Sequence, residues 1–317
     1  MIRIAATGYA LASQAGTVQN WCAGQGWAEP REAALLASGA AHYHHTAAGE
    51  TLTDIAQAGL RALLDRAQIE PSAIDLLVVY HTSSCNTLPA PFTLAGELRR
   101  RAGLRRAQHF SVFQQHCVSW VHGLSVMQAL FDRRPALQHA VLLGADTIMN
   151  ESLRAIGTNG IQTDGSSAML ITRNSGAPVL GWATTNDASG GIGTGILDDG
   201  TYVNDDTYLW SLVSTMRRVM KAAGTRPADI TRVLPHNVNL PAWQTAMSAA
   251  GLPADRLFAG NFARVGHAFG SDAAINMQDS GALHVPGRAL LMSAGLGGCF
   301  GGCIIETGVN QSGGAAS

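Results

Sequence analysis

A chain of 317 residues that is 46% hydrophobic and 14% charged can bury a large core and lies far from the composition of a disordered protein. Its formal net charge of -1 and pI of about 6.8 provide no global field for nucleic acid or an anionic membrane, so partners must be recognised locally. No apolar run approaches the roughly 20 residues that span a bilayer, and 5 cysteines without CxxC pairing make structural disulfides and a zinc site unexpected.

The opening MIRIAATGYALASQ reads as a strand and turn rather than a signal leader, so a soluble cytoplasmic protein is expected. His42, His44 and His45 follow without a paired cysteine or acidic partner, the pattern of surface histidines rather than of a metal site. From Thr51 to Gln68 apolar residues recur at helical spacing, EPSAID makes a turn, and LLVVYH reads as a buried strand. The basic run ELRRRAGLRR, Glu97 to Arg106, has a helical pattern. It admits two readings, a landing surface for an acidic partner or an ordinary solvated helix end. Next come strand-like HFSVF, a helical stretch from Val118 to Phe131, and two strands, HAVLLGAD and SSAMLIT.

Residues 174–206, rich in Gly, Asp, Asn and Thr, read as a long connecting loop of the kind that usually carries function. Beyond it, LWSLVSTMRRVMKAAGTRPADITRVLPH repeats the earlier helix-turn-strand grammar. Slid back by 156 positions, it places Arg217 on Arg61, Ala223 on Ala67, Pro227 on Pro71 and Ile230 on Ile74. RALLMSAG and GCIIET then mirror the two earlier strands. The chain thus divides into two similar halves, 1–173 and 174–317, and alternating helices and strands predict an α/β fold with two sheets sharing a helical middle layer.

Cys117 falls at the start of the Val118 helix. The positive end of a helix dipole there favours thiolate, and nearby N–H groups can hold an oxyanion, which is a nucleophile's position. A small buried hydrophobe is the other reading.

In order along nearly the whole chain stand Cys117, the strand ending GAD at Asp146, DGSSAMLI from Asp164, PHNVN around His236, GHAFGSD from Gly266 to Asp272, and LGGCFGG. Together they resemble the thiolase superfamily, and within it 3-oxoacyl-acyl-carrier-protein synthase III. The resemblance implies a five-layered αβαβα sandwich, a homodimer and no cofactor. It makes Cys117 the residue that accepts an acyl group from a thioester, on an acyl carrier protein or coenzyme A. His236 takes the place of the first histidine of an HQAN-like motif, with Asn239 at its last position as a substrate contact. Gly298 and the amide of Cys117 would form the oxyanion hole, with Phe300 beside them against the substrate. Residues 174–206 would cover the acyl pocket. Cys299 and Cys303 read as small buried residues.

Two departures set this chain apart. The family has an asparagine in a stretch like GNTSAAS where GHAFGSD has His267, and Asp272 follows five residues later. A carboxylate on one imidazole nitrogen fixes the tautomer and makes the other nitrogen basic, the logic of a Cys-His-Asp triad. Such a histidine deprotonates an alcohol, amine or thiol, so acyl transfer without a new carbon–carbon bond is expected, as in an acyltransferase branch of secondary metabolism. The acceptor would be a small molecule or a carrier-bound group.

If Asp272 only caps the helix begun by DAAINMQD, His236 and His267 would instead serve decarboxylative condensation with a malonyl thioester. A catalytically silent subunit is the reading from a different class. The second departure is the missing Gly-Ile-Arg-like step in the N-terminal segment that clasps coenzyme A, which leaves the donor open.

Overall fold

The computed structural model describes residues 1–82, 86–186 and 207–308. In chain order the elements are β1 (Arg3–Leu11), β2 (Gln14–Thr17), α1 (Val18–Gly24), α2 (Glu29–Ala37), β3 (His42–His45), α3 (Leu52–Ala67), β4 (Leu76–Tyr80), α4 (Leu94–Arg101), β5 (Gln108–Val112), α5 (Ser119–Arg133), β6 (His139–Asp146), β7 (Gly165–Thr172), β8 (Ala177–Asn186), α6 (Tyr208–Ala222), β9 (Ile230–Leu234), α7 (Leu240–Ala250), α8 (Gly260–Arg264), α9 (Asp272–Asp279), β10 (Gly287–Gly295) and β11 (Cys299–Thr307).

The repeat in the sequence is a repeat in space. Thr51 and Asp54 form a capping box that starts α3, and Pro71 opens a 3₁₀ turn into β4. Pro227 opens the matching turn between α6 and β9. The strands are ordered β5-β4-β6-β7-β1 in the first half and β8-β11-β10-β9 in the second. The two halves are joined through β1 and β8 by the pairs Arg3↔Pro178 and Ile4↔Ala177, so hydrogen bonding runs on where two separate sheets were expected.

Strand alternation sorts the core into layers. Leu76, Val78 and Tyr80 turn to the middle, where Val121, Leu124 and Met127 of α5 and Ala273, Ala274 and Met277 of α9 also meet Leu291, Cys303 and Ile305 from the second half. Leu77 and Val79 turn the other way, toward α3 and α4. In the second half Val233, Leu290 and Ile304 pack under α6 and α7. The layers are α3/α4, first half-sheet, α5/α9, second half-sheet and α6/α7, the five-layered arrangement. Trp120 Nε1 donates to Ser293 Oγ at 2.9 Å, tying α5 to β10 through the middle.

One reading is corrected. Part of the stretch read as a loop, Ala177–Asn186, is the strand β8, paired along β11. A Cβ at Gly181 would meet the backbone of Ala222 and Ala223 at 2.7 Å, so that glycine lets α6 pack closely rather than marking a loop. Residues 187–206 of the same stretch, and Cys85, lie outside the described residues. His42, His44 and His45 sit on β3 with each Nδ1 against a backbone carbonyl, of Ala263, Ala12 and Thr46. Among the described residues no helix is long and apolar enough to cross a membrane.

Candidate active site

Beyond β5 the chain turns sharply, with Gln114 and His116 at φ of 71° and 46°. Positive φ is uncommon outside glycine. The 3₁₀ turn His116–Val118 then leads into α5, and Cys117 within it is 5% exposed. The second half repeats the device: Phe269, at φ 56°, opens the turn Phe269–Ser271 that leads into α9. The two turns touch, since a Cβ at Gly270 would lie 3.3 Å from the Cys117 carbonyl oxygen. A third wall is the end of β10, where a Cβ at Gly295 would meet His116 Cβ at 2.6 Å and the Cys117 amide nitrogen at 3.1 Å.

His267 stands between Cys117 and a carboxylate. Its Nε2 is 3.4 Å from Cys117 Sγ and its Nδ1 is 2.5 Å from Asp272 Oδ2. All three side chains are buried. Asp272 is the first residue of α9, yet its oxygens turn away from that helix's own amides. Oδ1 accepts from the Ala268 N–H at 2.7 Å and from Asn237 Nδ2 at 3.2 Å, and Oδ2 accepts from the Asn237 N–H at 2.7 Å. Burial alone would lower the proton affinity of His267, but the charges of Asp272 and Cys117 outweigh it and raise the pKa to about 10.

His236 follows β9 and is held in the opposite protonation state. The Ala294 N–H donates to its Nδ1 at 3.2 Å, so the neutral ring carries its proton on Nε2, which faces the Tyr208 hydroxyl at 3.3 Å. Burial, with the charge of His267, pushes the His236 pKa well below the ordinary histidine value. The two imidazole rings lie 5.7 Å apart.

Gly298 lies in the turn between β10 and β11 at φ 73°, after Gly297 at φ 76°, a left-handed pair that suits glycine. That turn leaves from Gly295 and hence from beside the backbone of Cys117. The two residues expected as substrate contacts have partners within the chain. Asn239 adopts φ 55°, caps α7 by accepting from the Ala242 N–H, and donates to Asn159 Oδ1, so both ends of its amide are engaged within the chain. Phe300, 1% exposed, belongs to the core under α6 and packs on the Tyr208 ring at 5.5 Å. Strand alternation sends it to the opposite side from Cys299 and Cys303, which face the middle layer.

Asn237 and Tyr208 are site residues that sequence reading passed over. Asn237 stood inside PHNVN as a signal, but its bonds to Asp272 join residues 35 apart in sequence. Asp146 and Asp164, from two of the motifs, act as scaffold. Asp146 accepts from the Thr82 N–H and from Asn86, and Asp164 pairs with the buried Arg154 at 3.2 Å. In the basic run, Arg100 and Arg101 pair with Glu97 and Asp54, and Arg106 with Asp75. An exposed pair such as Arg100–Glu97 holds an arginine only weakly.

Residues 220–307 match the family model described as 3-Oxoacyl-[acyl-carrier-protein (ACP)] synthase III C terminal. The beta-ketoacyl-[acyl-carrier-protein] synthase III of Cereibacter sphaeroides (strain ATCC 17029 / ATH 2.4.9) is 26% identical over 240 residues, covering 69% of this chain and 72% of that protein. The crystal structure of 3-oxoacyl-[acyl-carrier-protein] synthase III from Aquifex aeolicus VF5 superposes with a TM-score of 0.80 at 16% identity, covering 96% of this chain and 100% of the other. A solved structure named ChlB3, an acyltransferase, superposes with a TM-score of 0.79 at 18% identity, covering 96% and 97%. The chain is thus similar in sequence to 3-oxoacyl-acyl-carrier-protein synthase III, and it has the same fold, the thiolase fold.

Proposed function

We propose that this protein is an acyltransferase that moves an acyl group from a thioester, through acyl-Cys117, to an oxygen, nitrogen or sulfur nucleophile. The observation that carries the reading is the bridging position of His267, 3.4 Å from the sulfur and 2.5 Å from Asp272. The Cys117 thiolate attacks the thioester carbonyl, and the tetrahedral oxyanion is received by the amides of Cys117 and Gly298. Collapse breaks the old carbon–sulfur bond, and the leaving thiolate takes the proton from His267. With the sulfur acylated, one of the two charges that held that proton is gone, and His267 remains as a neutral base oriented by Asp272. It takes the acceptor's proton as the acceptor attacks the acyl carbon. His267 then returns that proton to the sulfur leaving group or keeps it opposite the re-formed thiolate. His236 donates its Nε2 proton in hydrogen bonding to the acyl or acceptor oxygen, or assists thiolate formation.

The donor is an acyl carrier protein or coenzyme A, the acceptor a small molecule or a carrier-bound group, and the working form a homodimer in the cytoplasm. A role in secondary metabolism fits the triad, and the likeness to ChlB3 supports acyl transfer. In this reading the boundary of the halves falls at 173/174.

A second reading, decarboxylative condensation with a malonyl thioester, is favoured by the neutral His236 Nε2–H, a suitable donor to an enolate oxygen, and by the names of the curated relatives. Single-turnover discharge of acyl-Cys117 separates the two. Loss of the acyl group to an alcohol, amine or thiol without carbon dioxide supports acyl transfer, and discharge only with a malonyl thioester and carbon dioxide release supports condensation.

A further inference from the structure

Behind Asp272 stand three asparagines that the chemistry above leaves unused. Asn237, Asn276 and Asn261 are 3%, 0% and 1% exposed. Arg264 donates to Asn261 Oδ1 through Nε at 3.1 Å and its terminal nitrogen at 2.7 Å. Asn261 Nδ2 donates to Asn276 Oδ1 at 2.8 Å, Asn276 Nδ2 to Asn237 Oδ1 at 2.9 Å, and Asn237 Nδ2 to Asp272 Oδ1 at 3.2 Å. Every amide therefore points the same way, from guanidinium to carboxylate.

Partners that can act in only one sense fix this direction. The oxygen of Asn261 faces a guanidinium, which only donates. Asn276 Nδ2 also donates to the Pro235 carbonyl at 2.6 Å, and Asn237 Nδ2 to the Gly266 carbonyl at 2.9 Å, and carbonyls only accept. A row of aligned amides between a cation and an anion is mutually polarising, and reversing one member would leave buried groups unpaired. The row also joins both catalytic histidines to one frame. Asn276 on α9 holds Pro235 and Asn237 on either side of His236, while Asn237 grips both oxygens of Asp272.

We propose that Asn237, Asn276 and Asn261 are positioning residues, a one-way amide row anchored by Arg264 that keeps the Asp272 carboxylate aimed at His267 and fixes His236 beside it. The inference rests on the acyl-transfer reading, in which Asp272 orients His267.

The test is Asn276→Leu, which cuts the row without touching Asp272 or His267. In the full-length protein the His267 Nδ1 proton, expected far downfield from its short bond to Asp272, moves upfield. Discharge of acyl-Cys117 slows about 10- to 100-fold, the scale of a small misplacement of a catalytic group. In an Asp272→Asn background the same change adds less than about twofold, because its effect runs through Asp272. An unmoved proton resonance, or an equal loss of rate in the Asp272→Asn background, overturns the proposal.

If Asn276→Leu does not fold, the native protein still decides. The row predicts side-chain amide protons of Asn237 and Asn276 strongly protected from exchange, and exchange as fast as that of an exposed asparagine contradicts it. Failure of the acyl-transfer reading would look different, as acyl-Cys117 that discharges to no acceptor while the proton resonance still answers to Asn276→Leu.

Discussion

Asp272 accepts the Nδ1 proton of His267 at 2.5 Å, and it does so from the first position of a helix whose own amides it leaves uncapped. That placement distinguishes the two roles a carboxylate can have at a helix start. A cap stabilises the helix. Here the carboxylate bonds His267, Asn237 and Ala268, and so fixes which nitrogen of His267 faces Cys117.

Asp272→Asn replaces the acceptor with an amide that tolerates the wrong imidazole tautomer. Acyl-Cys117 should still appear by mass, while its discharge to an acceptor falls about 10²- to 10⁴-fold, the range for losing an oriented general base. Rapid-quench measurement of the acyl-enzyme checks this.

The two histidines should bend stability with pH in opposite directions. His267, raised to about 10, contributes stability that is full below the ordinary value of 6.5 and is lost as pH rises toward and through about 10, because the unfolded chain releases that proton first. His236, held below 6.5, contributes stability above that value that is lost as pH falls, because the unfolded chain takes up a proton first. Urea midpoints should therefore fall on both sides. Asp272→Asn should flatten the alkaline side, and His236→Phe the acid side.

Gly295→Ala places a Cβ 2.6 Å from His116 Cβ and 3.1 Å from the Cys117 amide. Overpacking of this kind costs about 1–3 kcal/mol, and the displaced amide should slow Cys117 acylation more than it weakens donor binding. Denaturant midpoints and the split between kcat and KM report the two effects.

Asn239→Ala removes a helix cap from a left-handed backbone position. A loss of about 1 kcal/mol is expected, with the discharge rate of acyl-Cys117 kept. Asn239→Gly, which suits the positive φ, should recover part of the stability.

Much of this architecture was legible in the sequence because it rests on local rules. Pro71 and Pro227, in register across the two halves, each open a turn before a strand, and the apolar spacing of α3 and α6 marks their buried faces. Cys117, His236, His267 and Asp272 announced themselves through motif and order, and the structure gathers all four. Other features depend on where distant segments meet. β8 was hidden because Gly181 serves a helix contact that only the fold creates. Asn239 and Phe300 lie within the motifs, but a left-handed cap and strand alternation direct their side chains to structural work. The amide row joins α8, α9 and the end of β9 through partners up to 39 residues apart, beyond the reach of any periodicity.

Intact-protein mass spectrometry after incubation with a panel of acyl thioesters, followed by addition of candidate acceptors, tests acyl transfer most directly. The account predicts a single acyl adduct that maps to Cys117, is absent from Cys117→Ala, and is lost to an alcohol, amine or thiol acceptor without carbon dioxide. An adduct that persists in Cys117→Ala, or one that discharges only with a malonyl thioester and carbon dioxide release, would contradict it.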